Sequence, residues 1–209
     1  MISGWERYKL EEISDFQGGS QPPKSQFIRE PQNDYIRLLQ IRDFKSDDKT
    51  VYIPVAKKNK VCKKTDIMIG RYGASVGQIL RGKEGAYNVA LIKTTPDEKV
   101  IDKNFFYHYL KSDVFQIPLM SVAERSAQAG FSKPDIATFE ILLPSLDIQK
   151  NIVAKLDQAF ADIEKAKANA EQNLKNAREL FESYLQKIYT DGNYNESKLG
   201  ELVISSEPK

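Results

Sequence analysis

Between positions 57 and 83 the chain carries Lys57, Lys58, Lys60, Lys63, Lys64, Arg71, Arg81 and Lys83 against one acid, Asp66. A basic surface of that density attracts phosphate. For Lys57 to Lys64 taken alone, a solvated loop is the competing reading. Inside the same run, Gly70-Arg71-Tyr72-Gly73 sets a basic and an aromatic side chain between two glycines that permit positive φ. Both side chains can then be presented at the tip of a hairpin. Catalytic chemistry has no such concentration. The one histidine, His108, sits among Phe105, Phe106, Tyr107 and Tyr109, with no second His or Cys beside it. It reads as a packing residue of an aromatic helix rather than a metal ligand or a general base. The one cysteine, Cys62, reads as an ordinary strand residue, excludes an internal disulfide and fits a reducing cytoplasm. There is no Gly-rich phosphate loop, metal-ligand cluster, Ser/His/Asp arrangement or methyltransferase tetrapeptide, and no pair of carboxylates stands out. Binding is the economical reading.

The elements that must position these residues can be read from pattern. At 209 residues, 41% hydrophobic and 29% charged, the chain has room for one core and an appended element. It has no run of apolar residues long enough for a membrane span and no apolar segment behind Trp5-Glu6-Arg7 to serve as a signal peptide, so an intracellular, cytoplasmic protein is expected. The net charge of +2 is uneven: residues 1–145 hold 22 basic against 18 acidic side chains, and residues 146–189 hold 7 of each. Glu11 to Phe16 reads as a short helix or strand, and the Gly/Pro-rich Gly18 to Lys24 as a loop. Strands are predicted at Tyr35–Ile41, Thr50–Ile53, Asp66–Ile69 running through the Gly70–Gly73 turn and out along Val76–Leu80, and Tyr87–Ile92, in an antiparallel or mixed sheet or a small barrel. Beyond Pro96 come an aromatic helix over Ile101–Ser112 and a second helix over Val114–Met120, interrupted by Pro118. A polar loop over Arg125–Ser132, a helical turn at Pro134-Asp135-Ile136 and a final strand over Phe139–Leu143 complete the series. Pro144 ends that strand, and Ser145 is placed to cap a long helix.

That helix is read from a segment of more than forty residues without Pro or Gly, from Leu146 to Tyr189. It is long enough for a rod of roughly 65 Å at 1.5 Å per residue. Steps of three and four link Ile148, Ile152, Leu156, Ala159, Ile163, Ala166, Ala170, Asn173, Ala177, Leu180 and Tyr184 into a coiled-coil seam. The alanines allow close approach of a partner helix, and Asn173 could fix its register. The competing reading is a helix lying on its own domain. A separate helical partner is favoured, because the rod would overhang a domain of 145 residues. In the tail, Lys198-Leu199-Gly200-Glu201-Leu202-Val203 is similar to Lys9-Leu10-Glu11-Glu12-Ile13-Ser14, as if a second copy of the first domain were beginning.

A resemblance adds to this reading. The residues that carry it are the Trp5–Leu10 opening, the Gly18-Gly19 loop, the strand into Gly70-Arg71-Tyr72-Gly73 with Gly77, Tyr87-Asn88-Val89-Ala90, Gln128-Ala129-Gly130-Phe131-Ser132, and Ile141 through Val153. In that order they resemble the specificity subunit of Type I restriction-modification enzymes. The last element is the most specific: the family's strand ends in a Leu-Pro-Pro-Leu-like phrase, followed by Glu-Gln, Ile-Val and a long helix. Here Ser145 replaces the second Pro and Ile148 stands where Glu is common.

The resemblance implies an α+β fold: a mixed, β-rich target recognition domain at 1–145, then a long helix at 146–189 that forms an antiparallel coiled coil, with 190–209 like the start of a second recognition domain. It implies a non-catalytic subunit that reads one half of a split site in double-stranded DNA. The methylation subunit would bring S-adenosylmethionine and the restriction subunit would drive cleavage. Having one domain and one helix, the chain would dimerise through Ile152, Leu156, Ala159, Ile163, Ala166, Ala170, Asn173, Ala177, Leu180 and Tyr184 to rebuild a two-domain reader. Candidate base contacts are Arg71, Tyr72, Ser75 and Gln78 on the hairpin, Lys24, Ser25 and Gln26 beyond the Gly/Pro loop, and Arg125, Ser126 and Gln128 in the second polar loop. Lys57, Lys58, Lys60, Lys63 and Lys64 are candidates for phosphate. The alternative is a coiled-coil decoy that binds methylation subunits without reading DNA.

Overall fold

The computed structural model describes residues 4–125 and 130–192, so the repeat-like stretch Lys198 to Val203 lies outside the described residues. In chain order, β1 (Glu6–Lys9) passes through a one-turn helix, α1 (Leu10–Ile13), into β2 (Ser14–Gly18). The strands β3 (Tyr35–Leu39), β4 (Tyr52–Pro54), β5 (Val61–Cys62), β6 (Met68–Gly70), β7 (Ile79–Leu80), β8 (Gly85–Tyr87) and β9 (Leu91–Pro96) follow. Then come the helices α2 (Lys103–Lys111), α3 (Asp113–Arg125) and α4 (Lys133–Ala137), the strand β10 (Glu140–Leu143) and the helix α5 (Leu146–Asp191). The expected α+β architecture, β-rich and then helical with a long last helix, is present. The chain falls into two units, Met1–Lys155 and Leu156–Lys209, so the first turns of α5 belong with the first unit.

The strands of the first unit do not close into a barrel. They sort into two four-stranded sheets, ordered β2-β9-β6-β7 and β4-β3-β8-β5, and a ribbon of β1 with β10. The first sheet is antiparallel throughout, and the second is mixed because β3 and β8 run parallel. The single strand expected over Tyr87–Ile92 is two strands in different sheets. Tyr87 ends β8, a turn closed by Leu91 N donating to Asn88 O at 3.1 Å intervenes, and Leu91 opens β9. An apolar run of that length looks like one buried strand by pattern, and only the asparagine marks the break. The strand expected from Asp66 begins at Met68, because the Asp66 carboxylate accepts from Lys63 N at 3.0 Å and holds a turn ahead of it.

Three buried clusters result from this layering. The largest joins α1, β2, β6 and β9 to the aromatic helices through Leu10, Ile13, Phe16, Ile69, Phe106 and Phe115. Each such side chain contributes about 1.5–3 kcal/mol when fully buried. A second lies around Leu39, Met68, Tyr87 and Leu91, and a third around Leu38, Ile53 and Ala86. α2 begins at Lys103 rather than Ile101, because the Asp102 carboxylate accepts from Asn104 N and Phe105 N, both at 2.9 Å, and caps it. The expected interruption at Pro118 does not occur, and α3 runs through it. The carbonyl that Pro118 leaves without its helical donor belongs to Val114, a residue on the exposed side of the helix at 67%.

The start of α5 is tied in by one buried polar side chain. Gln149, fully buried, accepts from Asp102 N at 2.8 Å through Oε1, and its Nε2 donates to Pro144 O at 2.8 Å and Val100 O at 3.1 Å. With Val153 also buried, this fastens the first turns of the helix to the end of β10 and the N-terminus of α2. The second unit is described by itself: beyond Lys155 the described part of α5 is one uninterrupted helix, and Ile163, Leu174, Leu180, Phe181 and Tyr184 are exposed along it.

Candidate nucleic-acid interface

The hairpin of β6 and β7 pairs Met68 with Leu80 and Ile69 with Ile79, leaving Arg71 to Gln78 as its tip. The tip is closed on itself: Gly70 N donates to Gln78 O at 2.8 Å, Gly77 N donates to Gly70 O at 3.0 Å, and Gly73–Ser75 form a single 3-10 turn. Of the two glycines that permit positive φ, Gly73 uses it, at 57°. Gly70 is required for a different reason. A Cβ there would lie 2.1 Å from the Ser75 carbonyl oxygen, so the tip could not fold back.

Two of the three candidate loops meet at this tip. Tyr72 bridges to Gly130 in antiparallel fashion, and Arg71 Nε donates to Phe131 O at 2.7 Å while its guanidinium lies 4.8 Å from the Tyr72 ring. A Cβ on Gly130 would stand 2.6 Å from the Tyr72 ring, so glycine allows this approach. The Arg125–Ser132 stretch, expected to be a loop too polar for the core, therefore contains a buried Gly130-Phe131 that packs against the hairpin. From the other side, Gln116 of α3 donates to Gly77 O at 3.0 Å. Ser132 donates to Asp135 from both its backbone N and its Oγ, which holds the Asp135 carboxyl below its ordinary value and caps α4 beside the loop. The Ser-x-x-Asp spacing ahead of Ile136 was the sequence signal for that cap, and nothing in the pattern signalled Gln116.

The base candidates divide accordingly. Arg71 is half-buried and fixes the loops together, whereas Tyr72 is exposed at 37%. Ser75 and Gln78 stay partly exposed, with the Gln78 side chain donating to Ala74 O at 3.4 Å. Lys24, Ser25 and Gln26 form an exposed 3-10 turn in the β2–β3 connection, and their side chains bond to none of the hairpin residues among the described residues. Arg125 is the last residue of α3, its Nε donating to Ser121 O at 2.9 Å. Ser126 and Gln128 lie outside the described residues.

The basic run also divides. Arg81 stacks on Tyr107 at 3.9 Å and donates to Asn104, Lys83 contacts both oxygens of Asp47 at 2.8 Å, and Lys64 pairs with Glu84 at 3.7 Å. Lys57, Lys58, Lys60 and Lys63 form no ion pair among the described residues. Lys57 and Lys58 sit on a turn held by Asn59, whose N donates to Ala56 O at 2.9 Å and whose Nδ2 donates to Pro54 O at 3.0 Å. Four cations without an ion pair among the described residues, two on that turn and two flanking β5, are suited to phosphate oxygens. Cys62 between them is buried in β5, and burial pushes its thiol up to about 11, as expected of a strand residue and not of a nucleophile. His108 packs edge-on against Tyr107 at 5.6 Å. Among the described residues no group of three or more His, Cys, Asp or Glu could hold a metal, and no helix is long and apolar enough to cross a membrane.

The comparisons with known proteins agree with this architecture. The chain is 25% identical over 185 residues to the Type I restriction enzyme StySPI specificity subunit of Salmonella potsdam, a match covering 81% of this chain and 39% of that subunit. It is 28% identical over 136 residues to the EcoBI specificity subunit of Escherichia coli, covering 64% of this chain and 28% of that subunit. The chain thus spans less than half the length of the curated relatives it matches. Among solved structures it shares its fold with a chain from a study of complex assembly and conformational transition in a type I R-M system, with a TM-score of 0.72, 22% identity and coverage of 90% of this chain and 46% of that one. The HsdS subunit from Thermoanaerobacter tengcongensis gives a TM-score of 0.62 at 23% identity, covering 80% and 40%. The model of the Type I restriction modification DNA specificity domain matches residues 2–172, so the chain belongs to that family.

Proposed function

We propose that this chain is the sequence-reading component of a cytoplasmic Type I restriction-modification complex, recognising one half of a split site in double-stranded DNA and scaffolding the methylation subunits. The family match over residues 2–172 carries the reading, since it takes in the whole hairpin and loop assembly together with the first turns of α5. In this account Arg71 positions the loops, Tyr72, Ser75 and Gln78 face the bases, and Lys57, Lys58, Lys60 and Lys63 hold the backbone. Methyl transfer from S-adenosylmethionine belongs to the methylation subunit and cleavage to the restriction subunit. α5 pairs with that of a second copy, which restores two recognition domains and makes the half-sites symmetric.

The test is a gel-shift panel of duplexes with varied split sites, run with the methylation subunit present. Strong discrimination between duplexes is expected once this chain is added. Capture of the methylation subunit without any gain in sequence preference would mean a decoy instead.

A further inference from the structure

The loop junction uses only part of the Arg71 guanidinium. Its Nε donates to Phe131 O at 2.7 Å and its centre lies 4.8 Å from the Tyr72 ring, which together fix its plane. Neither Nη1 nor Nη2 forms a hydrogen bond or an ion pair among the described residues. The buried side-chain atoms left without a partner are Arg37 Nε, Gln40 Nε2 and Asp43 Oδ1, so both Arg71 Nη atoms reach solvent. A third loop borders them: a Cβ on Gly18, where β2 gives way to the Gly/Pro-rich connection, would stand 3.6 Å from Nη1. We propose that this free fork reads a guanine in the major groove, Nη1 and Nη2 donating to O6 and N7, so that Arg71 specifies a base as well as fastening the loops. This rests on the sequence-reading function above and names one base of the half-site.

Guanine presents two acceptors side by side at its major-groove edge. Adenine sets an acceptor beside a donor, thymine offers one acceptor and a methyl group, and cytosine offers a donor. Two donors of fixed direction therefore discriminate in favour of guanine. A phosphate also matches a guanidinium fork, but the surroundings favour the base. Arg71 is the one charged side chain in residues 17–20, 71–78 and 130–132, the stretches that meet here, whereas the backbone candidates stand together in Lys57 to Lys64. A phosphate can be held by a flexible ammonium and needs no fixed plane, while a base edge does. Asp135, in the cap beside the loop, is engaged by Ser132 through both N and Oγ and forms no ion pair with Arg71. The fork is thus ordered, open and not neutralised.

The test measures duplex affinity of the full chain together with its methylation subunit. The duplexes are the preferred one and the same sequence with 7-deazaguanine replacing each guanine in turn, which removes N7 and keeps the base pair. At one position the wild type is expected to lose about 10-fold. Gly18→Asp sets a carboxylate against Nη1, and Arg71→Gln removes the fork. Each is expected to bind the unmodified duplex about 10-fold more weakly and to be indifferent to 7-deazaguanine at that position, with the thermal transition of Gly18→Asp unmoved. A wild type that prefers one duplex but tolerates 7-deazaguanine at every guanine would overturn the guanine contact and leave the sequence-reading function standing. If both variants instead lose affinity for all duplexes alike, the fork holds a phosphate. A penalty that persists in both variants would give the guanine to another side chain and overturn the assignment. A wild type without preference among duplexes would overturn both the contact and the function. The wild-type series needs no substitution, so it stands even where Arg71→Gln disturbs the loops.

Discussion

Side chains that look alike in the sequence are sorted by what the fold does with them. Lys83 and Lys57 both belong to the basic run, but Lys83 is engaged by Asp47 while Lys57 and Lys58 project from an ordered turn. Replacing Lys57 and Lys58 together by Gln is expected to weaken binding to all duplexes alike and to flatten the plot of log affinity against log salt by about 2. Titration of binding against salt checks this. Asp43 shows the opposite case, an acid in the wrong surroundings. It is fully buried, its Oδ2 accepts from Gln40 N at 2.6 Å, its Oδ1 has no hydrogen-bond partner, and burial raises its carboxyl above the ordinary value. A carboxyl whose pKa is higher folded than unfolded favours folding below the unfolded value of about 3.9, and that contribution is lost as pH rises through the folded value. The Tm of the wild type relative to Asp43→Asn is therefore expected to rise as pH falls through the folded value, because only the wild type gains by taking up the proton, as thermal melts across pH would show.

At the scale of elements, the fold was legible where pattern and punctuation coincide. The Leu-Pro ending of β10 and the uninterrupted run after it placed α5 at Leu146, and the glycines placed the hairpin. What stayed illegible depends on partners distant in sequence. Arg71 reads as a free guanidinium until Phe131, sixty residues on, supplies the carbonyl it donates to. Pro118 reads as a break until α3 is seen to run through it, the residue four before it, Val114, being exposed. Gln149 is the clearest instance, since a glutamine at the start of a polar helix carries no sign that it will be fully buried and satisfied three times over. Gln149→Ala would leave Asp102 N, Pro144 O and Val100 O without their partner, and a loss of about 3 kcal/mol is expected. Chemical denaturation of the full chain measures it. Gln149→Glu should not rescue, because a carboxylate cannot donate to the two carbonyls.

For the whole molecule, a surface of mutually fastened loops is followed in the chain by a long helix. The loops proposed to face the bases are fastened by Arg71, Gln116 and the Ser132–Asp135 cap, so little ordering would be left for the moment of binding. α5, 46 residues long, spans about 69 Å at 1.5 Å per residue. In a dimer joined along α5, that length would set how far apart the two half-sites lie. The most direct test is to mix this chain with its methylation subunit and S-adenosylmethionine, modify a random duplex library and read the methylated sequences. Two identical half-sites in inverted orientation, separated by a spacer of fixed length, are predicted. Methylation without sequence preference, or at a single unpaired half-site, would contradict the proposal.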